Sequence, residues 1–389
     1  MDYKIITHCR ACGNEMHHLK ENTFSFGIVP LAGNFCKTQE RSATAEKYPL
    51  SLVCCPSCET VQVLHDVDDK ILFSEYNYAS STVGGLNRHF VQYAEFLKKV
   101  FSDKNHLSFL EIGCNDGVLL KKLPDTWTKI GVDPSDVALQ NVDSSYSLYN
   151  EPFSKGMVEK NRLTETCDVI SGSNCLAHIS DIKDVFEGIW LALKKSGSFF
   201  IEVHDLFATI NGDQWDTLYH EHKIEWDIKA LSNSLIPLGF EFIHVDYLPL
   251  HGGLIRAHYK KTNKPVSFNL VKDKEKLSLL NKLHSSYLKR YDKEVIRLLA
   301  KQNIVAYGAS GRAVMFLNHM SDLKFSQIVD ESEIRIGKYI PVVQTKVIDQ
   351  KDFHEQKFDY CLVTAWNYFD DIVKKNDFFK GKWVKYFDY

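Results

Sequence analysis

The order of hydrophobic and polar residues predicts a long central region in which strands alternate with helices. Between about residues 80 and 260, four apolar runs bounded by Gly, Asn or Asp have the pattern of buried strands. They are HLSFLEIG, KIGVD, CDVISG and GSFFIEV. Helical patterns lie between them, such as DIKDVFEGIWLALKKSG, which ends in two lysines and a glycine. This alternation is typical of βαβ units and predicts a Rossmann-like, parallel or mixed sheet.

The regions before and after this centre have different patterns. The first 75 residues are rich in Cys, Gly and Pro, with only short strand-like runs such as YPLSLVCC. A charged segment from Asp273 to Lys301 has one apolar stripe and predicts a connecting helix. Strands and helices then alternate again through QNIVAYGASGRAVMFLNHM, FSQIVDES, FDYCLVTAWN and KWVKYFDY. We therefore predict three units, over residues 1–75, 76–265 and 266–389, the last containing the connecting helix and a second Rossmann-like α/β domain.

Composition and charge restrict the class of protein. A chain of 389 residues that is 44% hydrophobic is long enough to bury two or three cores. Its formal net charge of −3 gives no electrostatic basis for binding nucleic acid or an anionic membrane. No apolar stretch approaches the roughly 18 residues that span a bilayer, and the N-terminal sequence MDYKIITHCRACGNEM lacks the apolar core of a signal peptide. We expect a cytoplasmic globular protein, either monomer or dimer.

Two Cys-x-x-Cys pairs in the first unit predict a metal site. Cys9 and Cys12 form one pair and Cys55 and Cys58 the other, and two such pairs can supply four thiolates to one tetrahedral zinc ion. The site would be structural, because four cysteines leave no open coordination position. The alternatives are four ordinary buried thiols or a redox pair. Without a secretory signal, the cysteines indicate a reducing compartment rather than disulfides.

The loop EIGCNDG follows the first central strand and has the features of a cofactor site. Gly113 and Gly117 permit close approach of the backbone to a ligand, and Asn115 tolerates left-handed geometry. We expect a helix to begin directly after the loop, and Asp133 closes the next strand, where a ribose binds in such folds. The loop lacks the G-x-G-x-x-G of nicotinamide sites. It resembles the acidic loop of class I S-adenosylmethionine-dependent methyltransferases, which implies that Glu111 holds the methionine ammonium group and Asp133 the ribose. The alternative is an ordinary strand–loop–helix corner.

The whole chain resembles the nucleotide-sugar C-methyltransferases that add a methyl branch at C3 of a 4-keto-deoxyhexose. The segments that carry the resemblance are the Cys pairs, YNYASS, EIGCNDG, SNCLAHI, YHEH, HGGLIR, YGASGRAV and AWN. The resemblance implies an N-terminal zinc module, a central methyltransferase domain and a C-terminal Rossmann-like domain. It also implies S-adenosylmethionine and structural zinc as cofactors, a nucleoside-diphosphate 4-keto-deoxyhexose as substrate, and a place in branched-sugar biosynthesis.

The segment YHEH provides candidates for the proton transfer that such a reaction needs. A carbon beside a carbonyl becomes nucleophilic only after losing a proton, and histidine is the natural base near neutral pH. By resemblance, His222 is the general base, with Tyr219 and Glu221 in support. Glu221 is expected to contact His222 only in irregular backbone, and otherwise to orient another group. His220 competes for the base role or pairs with His222 at a metal, and the simplest alternative is a loop of surface histidines.

Further residues are implied by their positions in the resembling segments. His178 is expected near the sugar, as a donor to the enolate oxygen or an aid to proton transfer, or else only as a residue at a helix N terminus. Asn174 is expected to contact the cofactor. Four residues are candidates for binding the nucleotide sugar. For the two tyrosines among them, packing in a core is an equal alternative. The four residues are Tyr76, Tyr78, His251 and Arg256.

Other functions remain open from the sequence. The chain could methylate a sugar hydroxyl, or it could be a non-catalytic, zinc-bearing nucleotide-sugar-binding protein. An NAD-dependent epimerase or dehydrogenase is disfavoured by the missing glycine pattern. In the last unit, Gly308 and Gly311 form part of a dinucleotide corner, and Asp330 closes the following strand. We expect this domain to hold part of the sugar nucleotide or to complete the cleft.

Overall fold

The structure of the protein is a computed structural model that describes residues 2–16, 20–73, 80, 84–262, 275–289, 302–353 and 358–385. Tyr76 and Tyr78 lie outside the described residues, so the predictions for them stay untested. Within the described ranges, no helix has both the length and the apolar character needed to cross a bilayer.

The N-terminal module is built on a small antiparallel sheet. Its strands and helices are β1 (Tyr3–Ile5), β2 (Thr23–Pro30), α1 (Gln39–Ala43), β3 (Lys47–Cys54), β4 (Val61–Val63), β5 (His65–Val67) and α2 (Asp69–Leu72). Strands β2, β3 and β4 are neighbours, and β1 pairs with β5. A two-residue strand from the middle of the chain, Ile224–Glu225, completes the sheet by pairing antiparallel with β4. The module therefore contains a piece of the central domain.

The central domain has a seven-stranded mixed sheet. Its elements, with that two-residue strand as β11, are α3 (Gly84–Val100), β6 (Ser108–Ile112), β7 (Thr128–Val132), α4 (Asp136–Asn141), β8 (Ser147–Tyr149), α5 (Lys155–Lys160), β9 (Cys167–Ser173), α6 (Ile182–Ala192), β10 (Leu193–His204), α7 (Leu206–Asn211), β11 (Ile224–Glu225), α8 (Ile228–Leu235), β12 (Phe240–Leu248) and β13 (Leu254–Lys261). The strand order is β12-β13-β10-β9-β6-β7-β8. The neighbouring strands from β10 to β8 pair parallel. The β10–β13 and β13–β12 pairs are antiparallel. The predicted Rossmann-like fold class is confirmed.

The C-terminal domain has a five-stranded, entirely parallel sheet. Its elements are α9 (Lys276–Leu288), β14 (Ile304–Tyr307), α10 (Gly311–His319), β15 (Phe325–Asp330), β16 (Val347–Asp349), α11 (Gln350–Phe353), β17 (Tyr360–Val363), α12 (Phe369–Lys375) and β18 (Lys382–Lys385). The order β16-β15-β14-β17-β18 is that of a second Rossmann-like sheet. Short 3₁₀ helices occur at Lys20–Asn22, Leu120–Lys122, Trp215–Thr217, Ile236–Leu238, Leu250–Gly252 and Trp366–Tyr368. The connecting helix is described only as α9, because residues 290–301 lie outside the described ranges.

Two local predictions are wrong. No α-helix follows EIGCNDG, because Pro124 leaves room for only one 3₁₀ turn, at Leu120–Lys122. Helix α6 also ends earlier than predicted, at Ala192. Leu193 is fully buried and begins β10, and Lys194 pairs with Asp168 at 2.7 Å. The two lysines therefore belong to the start of a strand and not to a helix C terminus.

The three units share hydrophobic cores. One core joins residues of the module, such as Cys9 and Cys55, to Ile112 and Trp226 of the central domain. A second core runs from the module through the central domain to the C-terminal sheet, with members that include Phe24, Leu50, Trp215, Ile304 and Ile340. Because these two cores cross the boundaries between the units, the residues at their junction are held in fixed relation.

Candidate active site

The four predicted zinc ligands come together. All four sulfur atoms lie within 4.8 Å of one another, and this is the only such group of His, Cys, Asp or Glu side chains among the described residues. The Sγ atoms of Cys9 and Cys58 are 3.6 Å apart, and those of Cys12 and Cys55 are 3.8 Å apart. A zinc tetrahedron with bonds of about 2.3 Å has edges of about 3.8 Å. The cluster therefore fits a structural zinc ion, and none of the ten cysteines forms a disulfide.

The loop EIGCNDG has the tight backbone that a close ligand requires. Gly113 and Gly117 have φ of 68° and 72°, and Asn115 has φ of 50°, as the sequence predicted. A Cβ at Gly113 would lie 2.6 Å from the Cβ of Cys175, and one at Gly117 would lie 2.6 Å from the hydroxyl of Tyr146. Larger side chains would therefore both strain the loop and collide with its neighbours.

Two acidic side chains line this loop. Glu111 is buried, and its Oε2 has no hydrogen-bond partner among the described residues. Burial, together with the charges of Asp133 and Glu202, raises the pKa of Glu111 well above its ordinary value. A ligand cation at this carboxyl would offset the free-energy cost of a buried negative charge. This fits the ammonium group of S-adenosylmethionine. Asp133 accepts hydrogen bonds from the Asn115 amide at 2.9 Å and the Ser135 amide at 2.8 Å, and retains lone pairs for ribose hydroxyls.

Asn174 lies beside this loop, directly after β9. Its φ of 58° is left-handed, and its amide donates to the Glu202 carbonyl oxygen at 2.8 Å. The left-handed residue turns the chain sharply at the carboxyl edge of the sheet, where Rossmann-like domains bind ligands. The cofactor contact expected for Asn174 stays a prediction.

Four histidines form a cluster at the same edge of the sheet. The ring of His222 lies 5.1 Å from that of His178 and 6.2 Å from that of His204, and His204 lies 6.4 Å from His251. The ring of Tyr219 covers His222 at 4.1 Å. His178 follows β9 and His204 ends β10, so the cluster extends from the strand ends to the YHEH segment.

The proton positions of two imidazoles follow from their partners. Nδ1 of His222 lies 2.8 Å from the Thr217 carbonyl oxygen, and Nδ1 of His178 lies 2.6 Å from the Glu221 carbonyl oxygen. A carbonyl only accepts, so Nδ1 carries the proton in both neutral rings, and in His222 this leaves Nε2 as the acceptor. Burial, followed by the charges of His178 and His204, lowers the pKa of His222 well below its ordinary value. His222 is thus neutral and able to accept a proton at Nε2.

His178 is held by the backbone on the side of the cluster next to His222. Both roles expected for it, donation to the enolate oxygen and an aid to proton transfer, stay predictions. The hydroxyl of Tyr219 is the better donor, because burial, reinforced by Glu221, raises its pKa and keeps it protonated.

The side chains of His220 and Glu221 point away from the cluster, towards the N-terminal module. Nε2 of His220 donates to the Pro49 carbonyl oxygen at 3.1 Å, so this ring lies against the module and not in the cluster of the other four histidines. The carboxyl of Glu221 accepts from the Gly33 amide at 2.9 Å, so it does not contact His222 directly. Its backbone carbonyl instead orients His178. Burial raises the pKa of Glu221 to about 7.

Arg256 does not occupy the expected substrate position. Its Nε donates to Glu202 Oε1 at 2.7 Å, and its guanidinium lies 4.0 Å above the Tyr93 ring, so the group is buried and already neutralised. It is not available to a diphosphate. His251 does lie at the cluster, in a strained turn with φ of 54°, followed by Gly252 and Gly253.

Arg312 fastens the C-terminal domain to this site. Its Nη2 and Nε lie 3.0 and 3.1 Å from the two carboxylate oxygens of Asp216, and its Nη1 donates to the His251 carbonyl oxygen at 3.0 Å. Trp366 stacks on the guanidinium at 4.4 Å and donates to Asp216 at 3.1 Å. The segments YHEH, HGGLIR, YGASGRAV and AWN, far apart in sequence, thus meet at one junction.

Comparison with known proteins places these features in a family. A zinc-binding domain family matches residues 9–73, a methyltransferase domain family matches 86–245, and the C-terminal domain family of C-methyltransferases matches 249–387. The C-methyltransferase NovU of Streptomyces niveus is 23% identical over 95% of this chain and 91% of its own length. Together these matches show an S-adenosylmethionine-dependent C-methyltransferase.

Two solved structures that resemble this C-methyltransferase each cover less than half of it. The carbon methyltransferase CurJ is 13% identical, with a TM-score of 0.35 over 45% of this chain and 54% of its own. An S-adenosylmethionine-dependent methyltransferase from Mesorhizobium loti is 12% identical, with a TM-score of 0.32 over 44% of this chain and 100% of its own.

Sequence reasoning missed several residues of the C-methyltransferase site. His204 could have been found, because it directly follows the strand run GSFFIEV, as Asp133 follows the run KIGV. Glu225, a buried acid beside His222, carries no pattern of its own. The pairing of Asp216 with Arg312 spans 96 residues and has no local signal either.

Proposed function

We propose that the C-methyltransferase methylates C3 of a nucleoside-diphosphate 4-keto-deoxyhexose, in branched-sugar biosynthesis, with His222 as the general base. The observation that carries the proposal is the fixed tautomer of His222, whose Nε2 accepts while Nδ1 donates to Thr217. A base of this kind suits removal of a proton beside a ketone. The resemblance of the whole chain to the nucleotide-sugar C-methyltransferases supports the substrate class.

The proposed chemistry divides between the two faces of the cleft. S-adenosylmethionine supplies an electrophilic methyl group. On the sugar side, Nε2 of His222 accepts the C3 proton, and the electron pair of the broken C–H bond delocalises onto the C4 oxygen. The hydroxyl of Tyr219 donates to that oxygen, which leaves C3 nucleophilic. S-adenosylmethionine, when bound, would supply the methyl group to C3, with its S–CH₃ bond broken and adenosylhomocysteine released. Glu111 and Asp133 would hold the cofactor beside the sugar.

The C-terminal domain is proposed to hold the nucleotide end of the substrate. Its first strand ends in a loop whose Ala309 amide donates to Asp330 at 2.6 Å, and Ser332 donates to the same carboxylate at 2.7 Å. The same arrangement of acid and loop amide occurs at Asp133 and Asn115 in the cofactor site. This similarity supports a second nucleotide site facing the shared junction.

Deuterium exchange tests the proposal. The enzyme would be incubated in heavy water with adenosylhomocysteine and a panel of 4-keto sugar nucleotides, and exchange at C3 followed by NMR. We expect exchange at C3 of a 4-keto substrate and none with the matching 4-hydroxy sugar nucleotide, because only the ketone acidifies that position. Methyl transfer to oxygen without C3 exchange would support the sugar O-methyltransferase alternative instead.

A further inference from the structure

Glu225 carries a carboxyl group that the proposed chemistry leaves without a role. It lies on β11, where it pairs with Val61 of β4, and it is only 2% exposed. Its Oε1 has no hydrogen-bond partner among the described residues. A buried and unsatisfied carboxyl is costly to keep, and such groups concentrate at functional sites.

The carboxyl faces the side of His222 that is turned away from the acceptor nitrogen. Oε1 of Glu225 lies 4.0 Å from Nδ1 of His222, the nitrogen that donates to Thr217. A negative charge at this distance, in surroundings from which water is excluded, favours the imidazolium over the neutral ring. Glu225 therefore lies where it can stabilise the ring after Nε2 has taken a proton.

Among the described residues, the Thr217 carbonyl oxygen also favours the protonated ring, but it is a dipole without a full charge. His178 and His204 are the neighbouring rings, and Arg312 adds a permanent cation, and all three disfavour protonation of His222. The nearby carboxylate of Asp216 is engaged by Arg312. Within the described part of the chain, Glu225 is the one carboxyl within ion-pair distance of His222.

We propose that Glu225 is a positioning residue that must be ionised for His222 to abstract the substrate proton. The proton passes from C3 to Nε2, Nδ1 keeps its own proton, and the carboxylate of Glu225 pairs electrostatically with the resulting imidazolium without receiving a proton. This inference rests on the proposed function, since it concerns the same proton transfer.

The surroundings of Glu225 predict how the rate depends on pH. The titratable groups that face it among the described residues are His222 and Tyr219, while Val61 and Gln62 of β4 are uncharged. Burial raises the pKa of Glu225 to about 8. The pKa of His222 is lowered, so His222 is already neutral above pH 7. A rise in rate through about pH 8 therefore reports ionisation of Glu225.

The test measures the rate of C3 deuterium exchange between pH 6 and 9.5 in the presence of adenosylhomocysteine. In the wild-type enzyme we expect the rate to rise through about pH 8. Glu225→Gln should lower the rate about tenfold or more at pH 8.5 and remove the rise, with cofactor affinity within about twofold. Glu225→Asp should retain the rise and part of the rate. Glu221→Gln, which removes another buried carboxyl from the same segment, should leave the rise near pH 8 in place.

Each contrary result has a distinct meaning. A flat wild-type profile from pH 6.5 to 9 would overturn the inference without any variant, even if Glu225→Gln failed to fold. A Glu225→Gln enzyme with the wild-type rate and profile would overturn it as well, and so would equal losses in the Gln and Asp variants. A wild-type enzyme that exchanges no 4-keto sugar nucleotide would overturn the proposed function, and this inference with it.

Discussion

At the scale of single residues, backbone carbonyls decide what the histidines of the site can do. Thr217 and Glu221 each accept a hydrogen bond from Nδ1 of an imidazole, His222 and His178 respectively. His222 therefore presents Nε2 as an acceptor, which suits a base. The chemical role of each histidine is thus determined by a residue that is not itself reactive.

The base can be tested by removing its acceptor nitrogen. We expect His222→Asn to lower the rates of C3 exchange and turnover by about 100-fold or more, because general-base catalysis contributes at this level. Adenosylhomocysteine affinity, measured by calorimetry, should stay within a few-fold. The control is His220→Asn, whose ring points to Pro49 instead. Normal turnover in His222→Asn would move the base role to His178 or His204.

The acid of the cofactor loop gives a second residue-scale prediction. Glu111→Gln keeps the shape of the side chain and removes the charge that an ammonium group would pair with. Calorimetry should record a loss of about tenfold or more in adenosylhomocysteine affinity, the range expected for a charged hydrogen bond. Glu241→Gln, an exposed change on β12, is the matched control. Equal affinities of the two variants would remove Glu111 from the cofactor site.

At the scale of elements, the catalytic segment is folded as part of the zinc module. Strand β11 extends the sheet of the module by pairing with β4. Just before it, Lys223 pairs with Asp66 at 3.0 Å and also with Asp69, and Asp66 in turn binds Arg10 at 3.0 Å. Arg10 lies between the two cysteines of the first pair. A continuous chain of contacts therefore links the predicted metal to the residue after His222.

Removal of zinc should consequently disorder the base before it affects the cofactor site. Chelation is expected to increase amide hydrogen exchange in residues 219–225, measured by mass spectrometry, because their partners in β4 and at Asp66 lose support. Affinity for adenosylhomocysteine should change by no more than a few-fold. Zinc, added back, should restore protection. Unaltered exchange in this segment after complete metal removal would contradict the coupling.

The sequence was most informative where the fold relies on short-range patterns. Strand runs such as KIGVD, the positive φ of Asn115 and the two Cys pairs all follow from local chemistry, and the structure agrees with them. It was least informative where a partner lies far along the chain. Arg256 was expected to bind phosphate because nothing local reveals Glu202, and the tautomer of His178 depends on a carbonyl 43 residues away.

At the scale of the whole molecule, the site is a junction of three units that share buried cores. Ion pairs with little exposure cross this junction among the described residues, such as Arg312 with Asp216, and Lys276 with Asp227 at 2.7 Å. Breaking one partner of such a pair leaves an uncompensated charge, so relative movement of the units is opposed. The many uncharged histidines and protonated acids at the junction also give the fold a characteristic dependence on pH.

Stability should therefore be greatest near pH 6.5. Burial lowers the pKa of His204 to about 3 and those of His220 and His251 to about 4. Below pH 6.5 these histidines bind protons in the unfolded chain but stay neutral in the folded protein. The free energy of unfolding therefore falls as the pH falls. Six described histidines have a lowered pKa, and four described acids have a raised one. The histidines therefore determine the sign of the pH dependence below pH 6.5.

Above pH 6.5 the buried acids reverse the direction in which the free energy of unfolding changes with pH. Burial raises the pKa of Glu221 to about 7 and that of Glu225 to about 8, so the folded protein holds protons that the unfolded chain has released. The free energy of unfolding should then decrease as the pH rises through 7 to 8. Thermal melts with zinc present would measure both slopes, and Glu225→Gln should flatten the alkaline one. A melting temperature that climbs steadily from pH 6.5 to 9 would disagree with this assignment.

The pairing of β11 with β4 limits how these enzymes can be recombined. In a chimera joined near residue 75, β4 would come from one parent and β11 from the other. Lys223 would then face the other parent's residue at the position of Asp66. A graft that transfers residues 1–75 together with the segment from Trp215 to Trp226 keeps both sides of the pairing from one parent. The zinc module and the segment from Trp215 to Trp226 therefore have to be transferred together, although they are far apart in the sequence.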